Sequence, residues 1–357
     1  MMIPPAVESQ AHSQCERKTV KLLVWDLDNT LWNGTLLEGD GVQLRAGVRS
    51  TLDALDKRGI LHSIASKNDY ELAMAKLREM GIEQFFLYPQ VNWNSKAAGI
   101  KKIADSINIG LDSIAFIDDE PFEREEVRHS IPEVAVYDSR EIESLVDRPE
   151  FMPPFITEDS ARRREMYLAD AERKRAEEQF VGPSDAFLAT LGMEFTIGSA
   201  QEEDLKRAEE LTVRTHQLNT TGYTYSFEEL DAFRRSPDHL LLITELTDKF
   251  GTYGKIGLAL IGKEPSVWTI KLFLMSCRVM SRGVGTILMN HILGLARASG
   301  VALQAEFLNN QRNRMMLITY KMGGFREVKR SDDFILFRHE LDRIQPHPEW
   351  VKVTITD

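Results

Sequence analysis

The chain has 357 residues and a formal net charge of −11, with 43% hydrophobic and 28% charged residues, a length that suggests about two domains and a composition that excludes a disordered chain. No apolar run approaches the roughly 20 residues of a membrane helix; the opening residues lack the apolar stretch of a secretory signal, and the two cysteines, Cys15 and Cys277, exclude a disulfide framework. A cytoplasmic protein is expected, with no membrane and no nucleic-acid partner, since phosphate contacts need clustered Lys and Arg.

Residues 1–18 read as a flexible tail. The apolar run Val20–Trp25 predicts a strand that stops at acidic residues, and an amphipathic helix follows over 48–58, closed by Gly59. A strand over Ile60–Ala65 leads to a helix over 69–80, with Asp69 as N-cap and Gly81 beyond its end. Strand 84–88, helix 95–107, strand 113–117 and strand 134–137 complete an alternation that predicts a parallel sheet covered on both faces. Residues 148–156 hold three prolines and read as a linker, and 157–180 mix both charge signs as in an exposed connecting helix.

A second unit follows: helix 185–191, strand 193–197 and helix 200–214, with capping boxes at Ser199/Glu202 and Ser226/Glu229. Strands over 239–246, 254–261 and 267–275 form an antiparallel meander. Helix 284–298, strand 301–307, helix 311–322 and strand 334–339 close it.

Chemistry gathers at the ends of the first unit's strands, where open parallel sheets bind ligands. In Asp26-Leu27-Asp28-Asn29-Thr30, Asp26 suits a nucleophile on phosphorus and Asp28 a proton donor or acceptor, while both are hard oxygen ligands for Mg²⁺. Ser66-Lys67-Asn68 follows the next strand and offers groups to phosphate oxygens, Lys96 opens a helix and can neutralise a phosphoryl group, and Asp118-Asp119 can complete a Mg²⁺ site. Taken singly, Ser66 also reads as a helix cap, Lys96 as a surface lysine and Asp118-Asp119 as a cap; their order and placement favour the site.

That set resembles the haloacid dehalogenase (HAD) superfamily over about residues 20–140. The resemblance implies Asp26 as the residue that becomes an aspartyl-phosphate, Asp28 as general acid/base and Thr30 as support for the loop. Ser66 and Lys96 would hold the phosphoryl oxygens, and Asp118 with Asp119 would complete the metal site. Asp28 stands where the superfamily's ion pumps carry threonine, which favours a phosphatase.

In the second unit, Phe273–Gly285 (FLMSCRVMSRGVG) runs from a strand through a turn into a helix. Arg282-Gly283-Val284-Gly285 at the helix start suits an anion. Cys277 is a candidate thiol nucleophile, with Arg278 beside it to favour thiolate; the plainer reading is a small buried hydrophobe. His216, in the polar run Arg214–Thr221, is a candidate base near the thiol, or part of a turn after a helix. The stretch also resembles the GNAT acyltransferase fold over about 185–340, except that Met280 stands where the Gly loop usually begins with Arg or Gln. This disfavours acetyl-CoA and leaves room for another thiol carrier.

The two units in this order look like the FkbH-like glyceryl transferase/phosphatase family. The resemblance is carried by VWDLDNTLWNG (24–34), ASKND (65–69), NWNSKA (92–97), FIDDEPFEREEV (116–127), VRTHQLNTTGYT (213–224) and the Cys277 segment. His216 replaces a frequent Asn and Ser281 a frequent Gly. The family implies 1,3-bisphosphoglycerate as substrate and a D-glyceryl thioester on the phosphopantetheine of an acyl carrier protein, for polyketide biosynthesis.

The domain expectation is a HAD-like Rossmannoid parallel-sheet unit at 19–147, linker and charged helix at 148–183, a GNAT-like α+β unit at 184–345 and a C-terminal tail at 346–357. Three alternatives stand beside it: a Mg²⁺-dependent small-molecule phosphatase with the second unit as cap, a CoA-dependent N-acyltransferase, and a scaffold that docks a carrier protein.

Overall fold

The computed structural model describes residues 19–39, 41–280 and 282–356; the expected tail at 1–18, Cys15 and Ser281 lie outside them. The chain divides after Ile156 into two compact units.

The first unit runs β1 (Leu22–Trp25), β2 (Trp32–Asn33), β3 (Gln43–Leu44), α1 (Val48–Lys57), β4 (Leu61–Ser66), α2 (Tyr70–Glu79), β5 (Gln90–Val91), α3 (Lys96–Ile107), β6 (Ile114–Asp118), α4 (Pro121–Ser130) and β7 (Ala135–Asp138). Its sheet has the order β5-β4-β1-β6-β7, all parallel. β1 and β4 are buried at every position, which explains why they read as continuous apolar runs rather than alternating ones. Val48, Leu52 and Leu55 recur at helical spacing and bury one face of α1. Asp69 caps α2 by accepting the Leu72 amide at 2.9 Å, as expected. The expected strand over 84–88 is instead a 3-10 turn at Glu83–Phe85, and the edge strand comes later and shorter, at Gln90–Val91. Phe85–Leu87 pack in the core, and Phe86 touches the sheet through a single parallel bridge to His62 of β4.

The second unit runs α5 (Glu158–Ala161), α6 (Arg163–Gln179), α7 (Ser184–Thr190), β8 (Met193–Ser199), α8 (Leu205–Arg214), α9 (Phe227–Arg235), β9 (His239–Asp248), β10 (Gly251–Lys263), β11 (Val267–Met275), α10 (Val284–Ala298), β12 (Ala302–Leu308), α11 (Arg314–Met322), β13 (Arg326–Ser331), β14 (Phe334–His339) and β15 (Val351–Thr356). Eight strands form one mixed sheet, β13-β14-β12-β11-β10-β9-β8-β15. The fold class is α/β, with a parallel-sheet unit followed by an α+β unit, as the sequence indicates.

Three expectations are corrected here. Residues 346–357 are not simply a tail, because β15 pairs in parallel with β8 and extends the sheet. Ser199 ends β8 rather than opening a capping box; the Asp204 carboxylate accepts the Gln201 amide at 2.7 Å, and the α-helix starts at Leu205. The Ser226/Glu229 capping box is present. Finally, the charged run after Thr157 is not a solvated connector but part of the second unit. Its Arg173, only 1% exposed, meets Asp248 at 2.7 and 3.0 Å, donates to the Gly251 carbonyl and stacks 3.8 Å from the Tyr253 ring. Removing one partner of such a pair costs about 3–5 kcal/mol, because the other charge is left buried.

β11 and β12 pair only over Val267–Ile270 and Ala302–Ala305, then part. The segment Leu218–Thr221 fills the gap. Met275 N donates to Leu218 O at 2.9 Å, Thr220 N to Phe273 O at 3.1 Å and Leu308 N to Thr220 O at 3.0 Å. Buried Asn313 donates from its side chain to the carbonyls of Asn219, Thr220 and Leu308 at 3.0, 3.2 and 2.8 Å. The backbone groups exposed by the parting strands are thereby satisfied.

Candidate functional site

The first unit places its chemistry at the carboxyl ends of β1, β4 and β6. Asp26 follows β1, and its amide donates to Ile117 O of β6 at 3.0 Å, which sets the two acidic loops side by side. Asn29 takes a left-handed φ of 52° and accepts the Gly34 amide at 3.0 Å, so the chain turns sharply after Asp28. Thr30, wholly buried, accepts the Asp119 amide at 2.9 Å and donates to its carboxylate at 3.2 Å. Asp118 accepts the Glu120 amide at 2.7 Å, and Arg124 ties the Asp118 and Asp119 carbonyls at 2.8 and 2.7 Å.

Asp26, Asp118 and Asp119 each offer a carboxylate oxygen within 4.8 Å of the others. Lys96, at the start of α3, is 4% exposed, which disposes of the surface-lysine reading. Its ammonium contacts Asp26 and lies 3.2 Å from both Asp118 Oδ2 and Glu123 Oε2. Burial works against that charge, but Asp26, Asp118 and Glu123 outweigh it and hold the Lys96 pKa above its usual value. Burial, then the Asp26 charge, pushes Asp118 up to about 7, and burial raises Asp119 as well. Ser66, buried at the end of β4, lies near enough to Asp26 to favour its charged form a little against burial, and the cap of α2 is Asp69 instead.

Two sequence-predicted residues do other work here. Asp28 is not in the metal-ligand cluster: Oδ1 accepts Trp32 Nε1 at 2.7 Å and the Leu36 amide at 3.1 Å, while Oδ2 accepts Asn68 Nδ2 at 3.0 Å. Lys67 pairs with Glu123 Oε1 at 2.7 Å. Glu123 itself was not singled out from the sequence. It sits in the first turn of α4 inside the run FEREE, which reads as a solvated helix face. Asp26, Asp118, Asp119 and Glu123 together face two ammonium groups, Lys67 and Lys96. Four carboxylates against two ammonium groups, with an all-oxygen donor set, fit a hard dication such as Mg²⁺.

In the second unit, Cys277 opens a short 3-10 turn directly after β11 and its thiol is exposed, so it is not a core hydrophobe. The Asn219↔Leu274 bridge is antiparallel, so His216 and Cys277 lie beyond the same end of that pairing. His216 is exposed. The expectation that Arg278 favours the thiolate is corrected: partial burial pushes the Cys277 thiol up, and an Arg278 Nη1 is turned to the Met166 sulfur at 2.7 Å. Arg282 is likewise not presented to a phosphate. It is 4% exposed and lies 3.3 Å from Glu177 on α6. Gly283 caps α10 with φ 71°, and a Cβ there would lie 3.1 Å from the Trp350 ring. Gly283 and Gly285 line a cavity of about 130 Å³ at the start of α10, with Leu218, Phe273, Met280, Thr286 and Met316.

No protein-family model and no curated protein matches the chain. Among solved structures it is similar to the N-terminal part of BF1531 from Bacteroides fragilis, which contains a phosphatase domain complexed with Mg (30% identity, TM-score 0.29, covering 42% of this chain and 39% of that one). It is also similar to the ribosomal-protein-S18-alanine N-acetyltransferase from Escherichia coli (19% identity, TM-score 0.33, covering 43% and 97%). A third likeness is to Ard1 from Thermoplasma volcanium (18% identity, TM-score 0.31, covering 40% and 94%). The chain thus spans about two fifths of the BF1531 structure it matches. No described helix is long and apolar enough to cross a membrane.

Proposed function

We infer that the protein is a cytoplasmic two-centre enzyme: a HAD-type phosphatase in the first unit and a thiol-dependent acyltransferase in the second. It takes the acyl group of 1,3-bisphosphoglycerate, removes phosphate and loads D-glyceryl as a thioester onto the phosphopantetheine of an acyl carrier protein, for polyketide assembly in the manner of the FkbH-like family. The observation that carries the reading is the buried constellation of Asp26, Lys96 and Asp118 at the carboxyl ends of parallel strands.

Asp26, Asp118 and Asp119 would hold the Mg²⁺, which when bound supplies charge neutralisation to the phosphate oxygens. Asp26 attacks phosphorus, the ester P–O bond breaks, and an aspartyl-phosphate forms that water then hydrolyses. Lys96 and Ser66 hold the phosphoryl oxygens. Asp28 is fixed by Trp32, Leu36 and Asn68. It gives a proton to the leaving oxygen and takes one from the attacking water.

Cys277 attacks the carbonyl of the acyl phosphate; the C–S bond forms, the C–O bond breaks and phosphate leaves. The carrier thiol then attacks the acyl-cysteine and returns the Cys277 sulfur. The acyl phosphate is already activated, so no ATP is consumed. With its pKa pushed up, the thiol needs a base, and His216, beyond the same end of the Asn219–Leu274 pairing, would serve as one. Phosphate release from a phosphorylated three-carbon acid tests the first centre. A chelator should stop it and added Mg²⁺ restore it, whereas release that persists in chelator excludes this site.

A further inference from the structure

Glu210 on α8 is wholly buried and ringed by arginines. Arg163 lies 2.8 Å from Oε1, Arg207 2.7 Å from Oε2 and Arg214 3.1 Å from Oε1. Arg207 also meets Asp159 at 2.9 Å. Arg278 stands in the same neighbourhood, feeling the charges of Arg207, Asp159 and Arg163 and the phenol of Tyr167. Its donors reach the Met166 sulfur at 2.7 Å and the Ser276 hydroxyl at 3.5 Å. A thioether is a weak acceptor. No carboxylate among the described residues pairs with Arg278, which leaves its charge in surplus beside the Glu210 cluster. Lys255 and Asp204 form a neighbouring pair that balances itself.

This surplus lies beside the thiol. Ser276 N donates to Ile256 O at 2.6 Å, and Arg207 donates to the adjacent Lys255 O at 3.1 Å, so both are seated on one stretch of β10. Burial, with the neighbouring arginines, pushes Arg278 and Arg214 down to about 10. A partly buried cation without a counter-charge opposes folding, and an arriving anion relieves that opposition. Guanidinium forks match phosphate oxygens.

We propose that Arg163, Arg207, Arg214 and Arg278, with Tyr167 among them, form a binding site for an anionic phosphate group next to Cys277. The phosphate is either the monoester at the phosphorylated end of the acyl group or the phosphodiester that joins the pantetheine arm to the carrier. Only the choice between these sources rests on the function proposed above; the site itself requires neither Mg²⁺ nor acyl transfer.

The test is calorimetry on the full chain in chelator, with 3-phosphoglycerate, the methyl phosphodiester of phosphopantetheine and inorganic phosphate as probes. At least one probe should bind, and Arg278→Gln and Arg214→Gln should each weaken it at least tenfold, while Arg278→Lys retains part of the affinity. The probe that loses affinity identifies the source. The unliganded Arg278→Gln protein should melt no lower than the parent, and the probe should raise the parent's Tm but not the variant's. Cys277→Ala should bind as the parent does, so failure of the acyl-transfer reading and failure of this site are distinguishable. Parent protein that binds none of the probes, or Arg278→Gln with undiminished affinity and a lowered Tm, overturns the proposal and leaves the arginines a structural cluster.

Discussion

Asp26→Asn is expected to lower phosphate release from the ester on the order of 10⁴-fold or more, the scale of loss when a covalent nucleophile is removed without a substitute. The amide keeps the shape but gives up the charge and the nucleophilic oxygen. Lys96 then loses its contact with Asp26 and keeps Asp118 and Glu123, each at 3.2 Å. The ammonium therefore stays neutralised and the variant should fold, which separates lost chemistry from lost structure. The check is a phosphate-release assay beside a thermal melt. Release within tenfold of the parent takes Asp26 out of the mechanism.

Cys277→Ala is expected to abolish the covalent acyl-enzyme while leaving phosphatase turnover of simple phosphate esters intact. Cys277 is exposed, and no hydrogen bond from its side chain contributes to the sheet, so alanine costs little stability. Intact-protein mass after exposure to the acyl phosphate reads the result directly. The parent should gain one glyceryl or phosphoglyceryl group and the variant none; an equally acylated variant assigns the nucleophile elsewhere.

Much of the first unit was legible because its strands are buried on both faces and each stops abruptly at polar residues. Asp26, Ser66 and Asp118 could be placed at strand ends from that pattern alone. What was not legible depends on partners far away in sequence. Arg173 lies in a helix with few apolar residues, and its burial becomes visible only when Asp248, 75 positions later, supplies the counter-charge. The same holds for Glu210 and its arginines, and for Glu123, whose charged helix face turns out to look into a site. β15 was missed although VKVTIT alternates in character, since it lies at the edge of the sheet and buries only Val351 fully. The insertion of Leu218–Thr221 between β11 and β12 has no periodic signature. Its one sequence signal is the run of polar residues Asn219-Thr220-Thr221, all buried, in which the Asn219 and Thr220 side chains accept backbone amides.

The central claim is that one chain couples phosphate removal to thioester formation. The most direct measurement mixes the protein, Mg²⁺, 1,3-bisphosphoglycerate and a panel of phosphopantetheinylated carrier proteins, and weighs each carrier intact. One carrier should gain the mass of a glyceryl group, with none of the added phosphate retained; carriers that all keep their starting mass while free phosphate accumulates would contradict the account and leave a phosphatase alone.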